Sequence, residues 1–472
     1  MSAREAFASL QRVAGDLPLA TPRFSGDDPV VVTPFRVAAA AAASLGLGAS
    51  AAEALWRVRG GAPQDVAIDV RAAAASLVSF ALLRLDGKPV PRPSENKPTV
   101  ALYPTKDGRW FHLHGGFPHL ERGVLDVIGA DNTVESVAAK VAEWKSFALE
   151  DELARRNLCG AVMRSRKEWL ATAQGAALAN APPVALRRIG DAPRLDLAKA
   201  DRPLEGIRVL DLTRVLAGPT AGRTLASYGA EVLCVRHPGL PTIDVFDLDT
   251  GLGKRSTYLD LSEPDARETF RDLLRSADVI VDSYRPGALA KLGFSAEEIA
   301  EIAPGIVHVA VSCYGHQGPW AGRRGWEQLA QTATGLAVEQ TAFNAARNGT
   351  DAAPRIIPAA ACDYTTGYLA AAGATLALLK RADEGGSWRV EVSLCATAIW
   401  LRSLGLIDAA EVPESWNPLA GLDGYFQSCE TAQGHLDHLG PVVRMSRTQP
   451  AWHLAPPECG ADEPRWSDGT EK

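Results

Sequence analysis

Residues 203–222, PLEGIRVLDLTRVLAGPTAG, run an apolar stretch (Ile207, Val209, Leu210) ending in Asp211 into a turn containing Ala217, Gly218, Pro219 and Gly222. Small residues there let the backbone bend sharply and approach a ligand, and the helix that follows offers unpaired amides and a positive dipole end to an anion. Gly218 and Gly222 do not complete a GxGxxG spacing, so the spacing fits a plain strand-to-helix turn equally well. His112 and His114, in FHLHGGFPHL, would share one strand face and could hold a metal, although no acidic or cysteine partner is near in sequence. The 7 cysteines are scattered, with no CxxC pair and an odd total, which points to free buried thiols and to no metal site.

The elements that must position these residues alternate. IRVLDL (207–212), EVLCVR (231–236), DVIVDS (278–283) and IVHVAVS (306–312) are short apolar runs of the kind buried on both faces of a parallel sheet. Ser262 with Asp265, and Ser295 with Glu298, read as capping boxes opening the helices between them. This alternation predicts an α/β fold with a doubly wound, mostly parallel sheet, whose ligands sit at the carboxyl ends of the strands. Those ends carry residues 214–218, 236–238, 284–287 and 314–318.

Five segments in order resemble the class III CoA-transferase family, the CaiB/BaiF type. They are the turn above, GKRSTYLDLSEPDAR from Gly253, ADVIVDSYRPGALAKLGFS from Ala277, GIVHVAVSCYGHQGPWAGRRG from Gly305 and CDYTTGYLAAAGATLALL from Cys362. The resemblance implies a Rossmann-like large domain with a smaller α+β domain, and an enzyme that moves coenzyme A from an acyl-CoA to a carboxylic acid. It places the nucleophile at Asp363, which would form an aspartyl anhydride and then an aspartyl-CoA thioester. It carries CoA contacts onto Val215, Leu216, Ala217, Arg236, Lys254, Arg255 and Arg285. It further implies acyl-CoA and carboxylate partners, a homodimer, and no cofactor beyond the CoA thioester that is substrate. Leu252 before GKRS and Val235-Arg236 at the end of the second strand depart from the family pattern, so adenine or phosphate contacts are expected to differ.

The first 200 residues need an account of their own. Residues 36–74 and 364–398 share an Ala-rich helix, a Gly-Gly pair (Gly60-Gly61, Gly385-Gly386), an alternating strand (VAIDV, VEVSL) and a second helix. This reads as a diverged repeat displaced by about 325 residues. No acidic residue lies between Asp28 and Glu53, so the first copy offers no second nucleophile. The strand signals around a Lys106-Asp107-Gly108 turn mark a hairpin in a small domain. We divide the chain into a partial large-domain repeat (1–98), a small α+β domain (99–200) and a CoA-binding domain with a return segment (201–472).

Composition excludes little. A net charge of −7 argues against a general nucleic-acid surface, and 46% apolar with 22% charged residues is ordinary for a globular protein. No apolar run is read as long enough to span a bilayer, and the first residues lack a signal-peptide core, so a cytoplasmic protein without membrane partners is expected. Within the family, an alpha-methylacyl-CoA racemase would need a histidine in Gly-His-Asp, where this chain has Gly325-Trp326-Glu327; His316 lies ten residues earlier than that. A non-catalytic CoA-binding subunit and an NAD-dependent dehydrogenase are the other readings; the latter lacks both GxGxxG and a ribose-binding acid.

Overall fold

From Val37 to Ala52 the chain contains only alanine, glycine, leucine, serine and valine, and a helix of that composition has no polar face to give to water. The computed structural model describes residues 1–92, 97–349 and 353–467. After β1 (Arg23–Ser25), the Ala-rich stretch forms α1 (Val37–Val58), buried continuously from Val37 to Leu55. By length and composition α1 could cross a membrane, contrary to the sequence reading, but its apolar stretch lies inside the protein and only its last turn reaches the surface. β2 (Val66–Asp69) and α2 (Val70–Ser76) follow, with Asp69 accepting the amides of Arg71 and Ala72.

The small unit is an antiparallel sheet of Val100–Pro104, Trp110–His114 and Gly160–Val162, wrapped by short helices around Phe111, Leu113, Val124, Val137 and Leu149. His112 and His114 do share a face. His112 Nδ1 lies 3.1 Å from Thr332 Oγ1, and the His114 ring stacks on Trp326 at 4.3 Å. Burial holds both imidazoles neutral, His112 down to about 4 and His114 to about 3.

The large unit comprises β3 (Val184–Gly190), β4 (Arg208–Leu212), α3 (Ala217–Ser227), β5 (Glu231–Arg236), β6 (Lys254–Tyr258), β7 (Val279–Asp282), β8 (Val307–Ser312), α4 (Glu327–Thr334), α5 (Ala361–Glu384), β9 (Ser387–Ser393), α6 (Leu394–Ser403) and β10 (Val443–Met445). Among the described residues its sheet has seven strands in the order β6-β5-β4-β7-β8-β9-β3, all parallel except β3. The strand order reverses between β4 and β7, and the loops leaving those two strands open the crevice where such sheets bind ligands. Ser295 and Glu298 form the expected capping box, but Ser262 does not. The helix Pro264–Arg275 begins after Glu263, and the Ser262 hydroxyl bonds Asp260 instead.

The two Ala-rich repeats have one topology. β1 is parallel and β10 antiparallel to β2, as β8 is parallel and β3 antiparallel to β9. Each repeat therefore takes its antiparallel strand from the segment that follows the other: β3 lies after the first repeat, β10 after the second. The two long helices, α1 and α5, pack directly on each other, with Gly48 facing Ala372. β3, read from sequence as part of the small domain, thus extends the large sheet.

Candidate active site

β4 delivers residues 213–218 to the crevice. Val215 has φ +74°, an unusual conformation for a β-branched residue that costs about 1–3 kcal/mol and persists only where the surroundings impose it. Leu216 caps α3 without a side-chain hydrogen bond, and Ala217 and Gly218, which open the helix, line the cleft. The glycines of the turn serve packing more than ligand approach. A Cβ on Gly218 would sit 2.4 Å from Thr213 Cβ, on Gly222 2.5 Å from Asp211 Oδ2, and on Gly367 of α5 2.5 Å from the Ala217 carbonyl oxygen. Those three positions set α3 tightly between β4 and α5.

The cleft, about 1480 Å³ and open to solvent, is lined by residues 214–218 after β4, 283–286 after β7, 323–327 at the start of α4, and Asp363, together with Phe117, His119, Leu120 and Cys159 from the first half of the chain. Phe117 and Trp326 make an apolar wall, with ring centroids 5.2 Å apart. Three further guanidinium groups lie around it besides Arg285. Arg214 stacks on Phe117 at 4.7 Å, and Arg323 on Trp320 at 4.1 Å. Arg324 donates to His119 Nε2 at 3.3 Å, while its buried Nε has no partner. Burial and the neighbouring Arg324 lower the His119 pKa, so its ring accepts that bond as a neutral imidazole.

Asp363 is 8% exposed and sits in the first turn of α5, third residue of the helix rather than its cap. The first-turn amides are taken by Glu327: its Oε1 accepts Cys362 N at 3.1 Å and its Oε2 accepts Asp363 N at 2.7 Å. Gln331 Nε2 holds Glu327 Oε1 at 2.6 Å, and Gln331 Oε1 accepts Ile357 N. Burial, reinforced by the charge of Glu327, pushes the Asp363 carboxyl well above the usual range; burial raises Glu327 to about 7.

This chain is 30% identical over 412 residues to the acyl-CoA transferase of Gibberella moniliformis, covering 79% of this chain and 72% of that one. The chain belongs to CoA-transferase family III. The family's description matches residues 204–414. Acetyl-coenzyme A transferase nodX of Hypoxylon pulicicidum is 32% identical over 334 residues, 65% of this chain and 55% of its own length. The succinyl-CoA:glutarate CoA-transferase of Mus musculus is 30% identical over 251 residues, 50% and 56% of the two chains. This chain thus spans little more than half the length of the latter two relatives. A solved CAIB/BAIF family protein from Brucella suis aligns over 50% of this chain and 65% of its own at 26% identity, with a TM-score of 0.38.

Of the residues singled out in this family III chain, the fold brings Asp363, Val215, Leu216, Ala217 and Arg285 to one cleft. It leaves three elsewhere. Lys254 is almost fully buried beneath α3, its Nζ 2.7 Å from both Asp211 Oδ2 and the Pro219 carbonyl oxygen, and it does not line the cleft. Arg255 pairs with Asp462 and Glu231, beside Arg208 and thus at the amino ends of the strands. Arg236 bonds Asp247 at 2.7 Å and walls a side cavity of about 180 Å³ that it shares with Arg214 and Val215. Arg323 and Arg324 were not singled out from the sequence, although a basic pair just before Gly325-Trp326-Glu327 is a signal that could have found them. Phe117 and His119 were not, because nothing in their sequence says which cleft they cover.

Proposed function

We propose that the chain transfers coenzyme A from an acyl-CoA to a carboxylic acid, with Asp363 as the covalent carrier. One observation supports this most: a buried carboxylate lies in a cleft ringed by arginines, and no hydrogen bond is donated to it among the described residues. A carboxylate short of donors is a stronger nucleophile than a solvated one. Two of the curated relatives carry names that describe this reaction between acids, the succinyl-CoA:glutarate and formyl-CoA:oxalate CoA-transferases.

The steps balance without another reactant. The Asp363 carboxylate attacks the thioester carbonyl, expelling the CoA thiolate and leaving an aspartyl-acyl anhydride. The thiolate then attacks the aspartyl carbonyl and releases the donor acid, giving an aspartyl-CoA thioester. The acceptor carboxylate displaces the thiolate from Asp363 as a second anhydride, and the thiolate attacks the acceptor carbonyl, yielding the new thioester and free Asp363. The N-terminus of α3 and the guanidinium groups of Arg324 and Arg285 suit the CoA phosphates, and the Phe117–Trp326 wall shields one side of the cleft from water. Trp326 in place of a histidine supports transfer over racemisation. His316, whose Nε2 meets the Val392 carbonyl oxygen at 3.2 Å, lines a neighbouring cleft.

The test is an assay with acyl-CoA donors and acids carrying two ¹⁸O atoms. Acceptor-CoA should form, and ¹⁸O should enter the released donor acid after the first turnover, because each cycle leaves one acceptor oxygen on Asp363. Acceptor-CoA without label in the donor acid would contradict the carrier. Arg324→Ala should weaken CoA binding by about 1.5–3 kcal/mol, the scale of a charge-assisted hydrogen bond. Arg285, exposed and already bonded to Asn157 Oδ1 at 2.8 Å, should cost less than about 1 kcal/mol, and calorimetric titration separates the two.

A further inference from the structure

The first turns of α1 and α5 are built alike, although only one carries an acid that faces a ligand cleft. Arg36 and Ala360, the residues preceding the helices, have nearly the same backbone angles, φ −84°, ψ 58° and φ −80°, ψ 56°, and neither caps with its own side chain. In both helices a carboxylate from an earlier segment takes the amides instead. Asp28 Oδ2 accepts Ala39 N at 2.8 Å, and Glu327 accepts Cys362 N and Asp363 N. Ala39 and Asp363 are each the third residue of their helix. The first repeat therefore keeps the capping acid and has alanine where the second has the nucleophile.

An acid in the first turn normally gains from the free amides around it, which stabilise the carboxylate and weaken it as a nucleophile. At α5 those amides are already spent on Glu327, whose negative charge also stands beside Asp363. The other groups facing Asp363 supply no cation: they are Cys362 on its own helix and Cys313 after β8, which in turn contacts Cys395 of α6. Arg323 and Arg324 lie elsewhere along the same cleft, with no bond to the carboxylate. We propose that Glu327 is a positioning residue for the transfer reaction: by gripping the first turn of α5 it fixes the nucleophile's helix and leaves the Asp363 carboxylate facing substrate without a donor. This rests on Asp363 being the carrier, and Asp28 provides an internal control, since the same grip there serves only the fold.

The experiment compares wild type, Glu327→Gln and Asp28→Asn by the pH dependence of kcat and KM, with mass spectrometry of the Asp363 peptide after mixing with acyl-CoA. Glutamine keeps one acceptor, turns an amide group against the second backbone N–H, and removes the charge. Asp363 must be ionised to attack, so activity is lost as pH falls through its apparent pKa, and removing the adjacent charge moves that acid limb to lower pH by about one unit. We expect this shift in Glu327→Gln together with a kcat lower by about 10- to 100-fold and little change in KM, and neither effect in Asp28→Asn. A folded Glu327→Gln with an unmoved limb and full kcat would overturn the proposal, as would an equal loss in Asp28→Asn. Should Glu327→Gln not accumulate as folded protein, Glu327→Asp decides. A lower kcat with the limb in place supports the grip, and full kcat overturns it. Absence of any adduct on wild-type Asp363 would remove the carrier reading itself, a failure distinct from an adduct that forms with an unmoved limb.

Discussion

Asp363→Ala and Asp363→Asn will lower CoA transfer by at least about three orders of magnitude while leaving CoA affinity within a few-fold of wild type. In the proposed reaction the carboxylate is the group to which both acyl and CoA become attached, and no other acid among the described cleft residues is placed to replace it. Glu327 is engaged by two amides and Gln331. Loss of folding will not account for the effect. A buried carboxylate whose pKa is raised in the folded state costs stability wherever it is ionised, so the sign favours the variants. Stability from such a group is greatest when protonated and falls as pH rises above the ordinary carboxylate value. Asp363→Asn should therefore melt no lower than wild type at pH 8. Wild-type turnover in either variant would remove Asp363 from the chemistry.

The second large effect concerns the division of the chain. A fragment of residues 201–472 retains Asp363 and most of the cleft, yet it should be inactive and poorly soluble. It loses β3 from the edge of the main sheet, exposing β9, and it loses β2, the partner of β10. It strips α1 from α5, baring Leu369, Leu376 and Leu379, and removes the Phe117 and His119 side of the cleft. The Tyr364 hydroxyl, which donates to Asp249 Oδ2 and accepts Phe80 N, would also lose its first-half partner. Co-expression of residues 1–200 should restore both solubility and transfer, because each piece supplies a strand to the other's sheet. A soluble fragment 201–472 with full activity would show that the first half takes no part in the site.

Much of this was legible before the structure. Val209, Val232, Val279 and Val307 lie in apolar runs of the kind expected for a parallel strand buried on both faces, and they fall in β4, β5, β7 and β8. The repeated helix, Gly-Gly turn and strand foretold that β2 and β9 would be counterparts. What stayed hidden depends on partners distant in sequence. Lys254 looked like a free cation because its neutralising Asp211 lies 43 residues away and read as the end of a strand. KRSTY, β6, is too polar to signal an edge strand, and VALRRIG, β3, gives no hint that it crosses back to pair with β9. Glu327 was visible in the triplet Gly325-Trp326-Glu327, but that its carboxylate would close the first turn of α5 required the fold.

The most direct measurement is intact and peptide mass spectrometry of the protein mixed with an acyl-CoA, quenched in acid within a turnover and digested. The account predicts an acyl or CoA adduct confined to the peptide containing Asp363, discharged on adding an acceptor acid and absent from Asp363→Asn. Robust transfer activity with no adduct on that peptide, or an adduct that persists unchanged in Asp363→Asn, would contradict it.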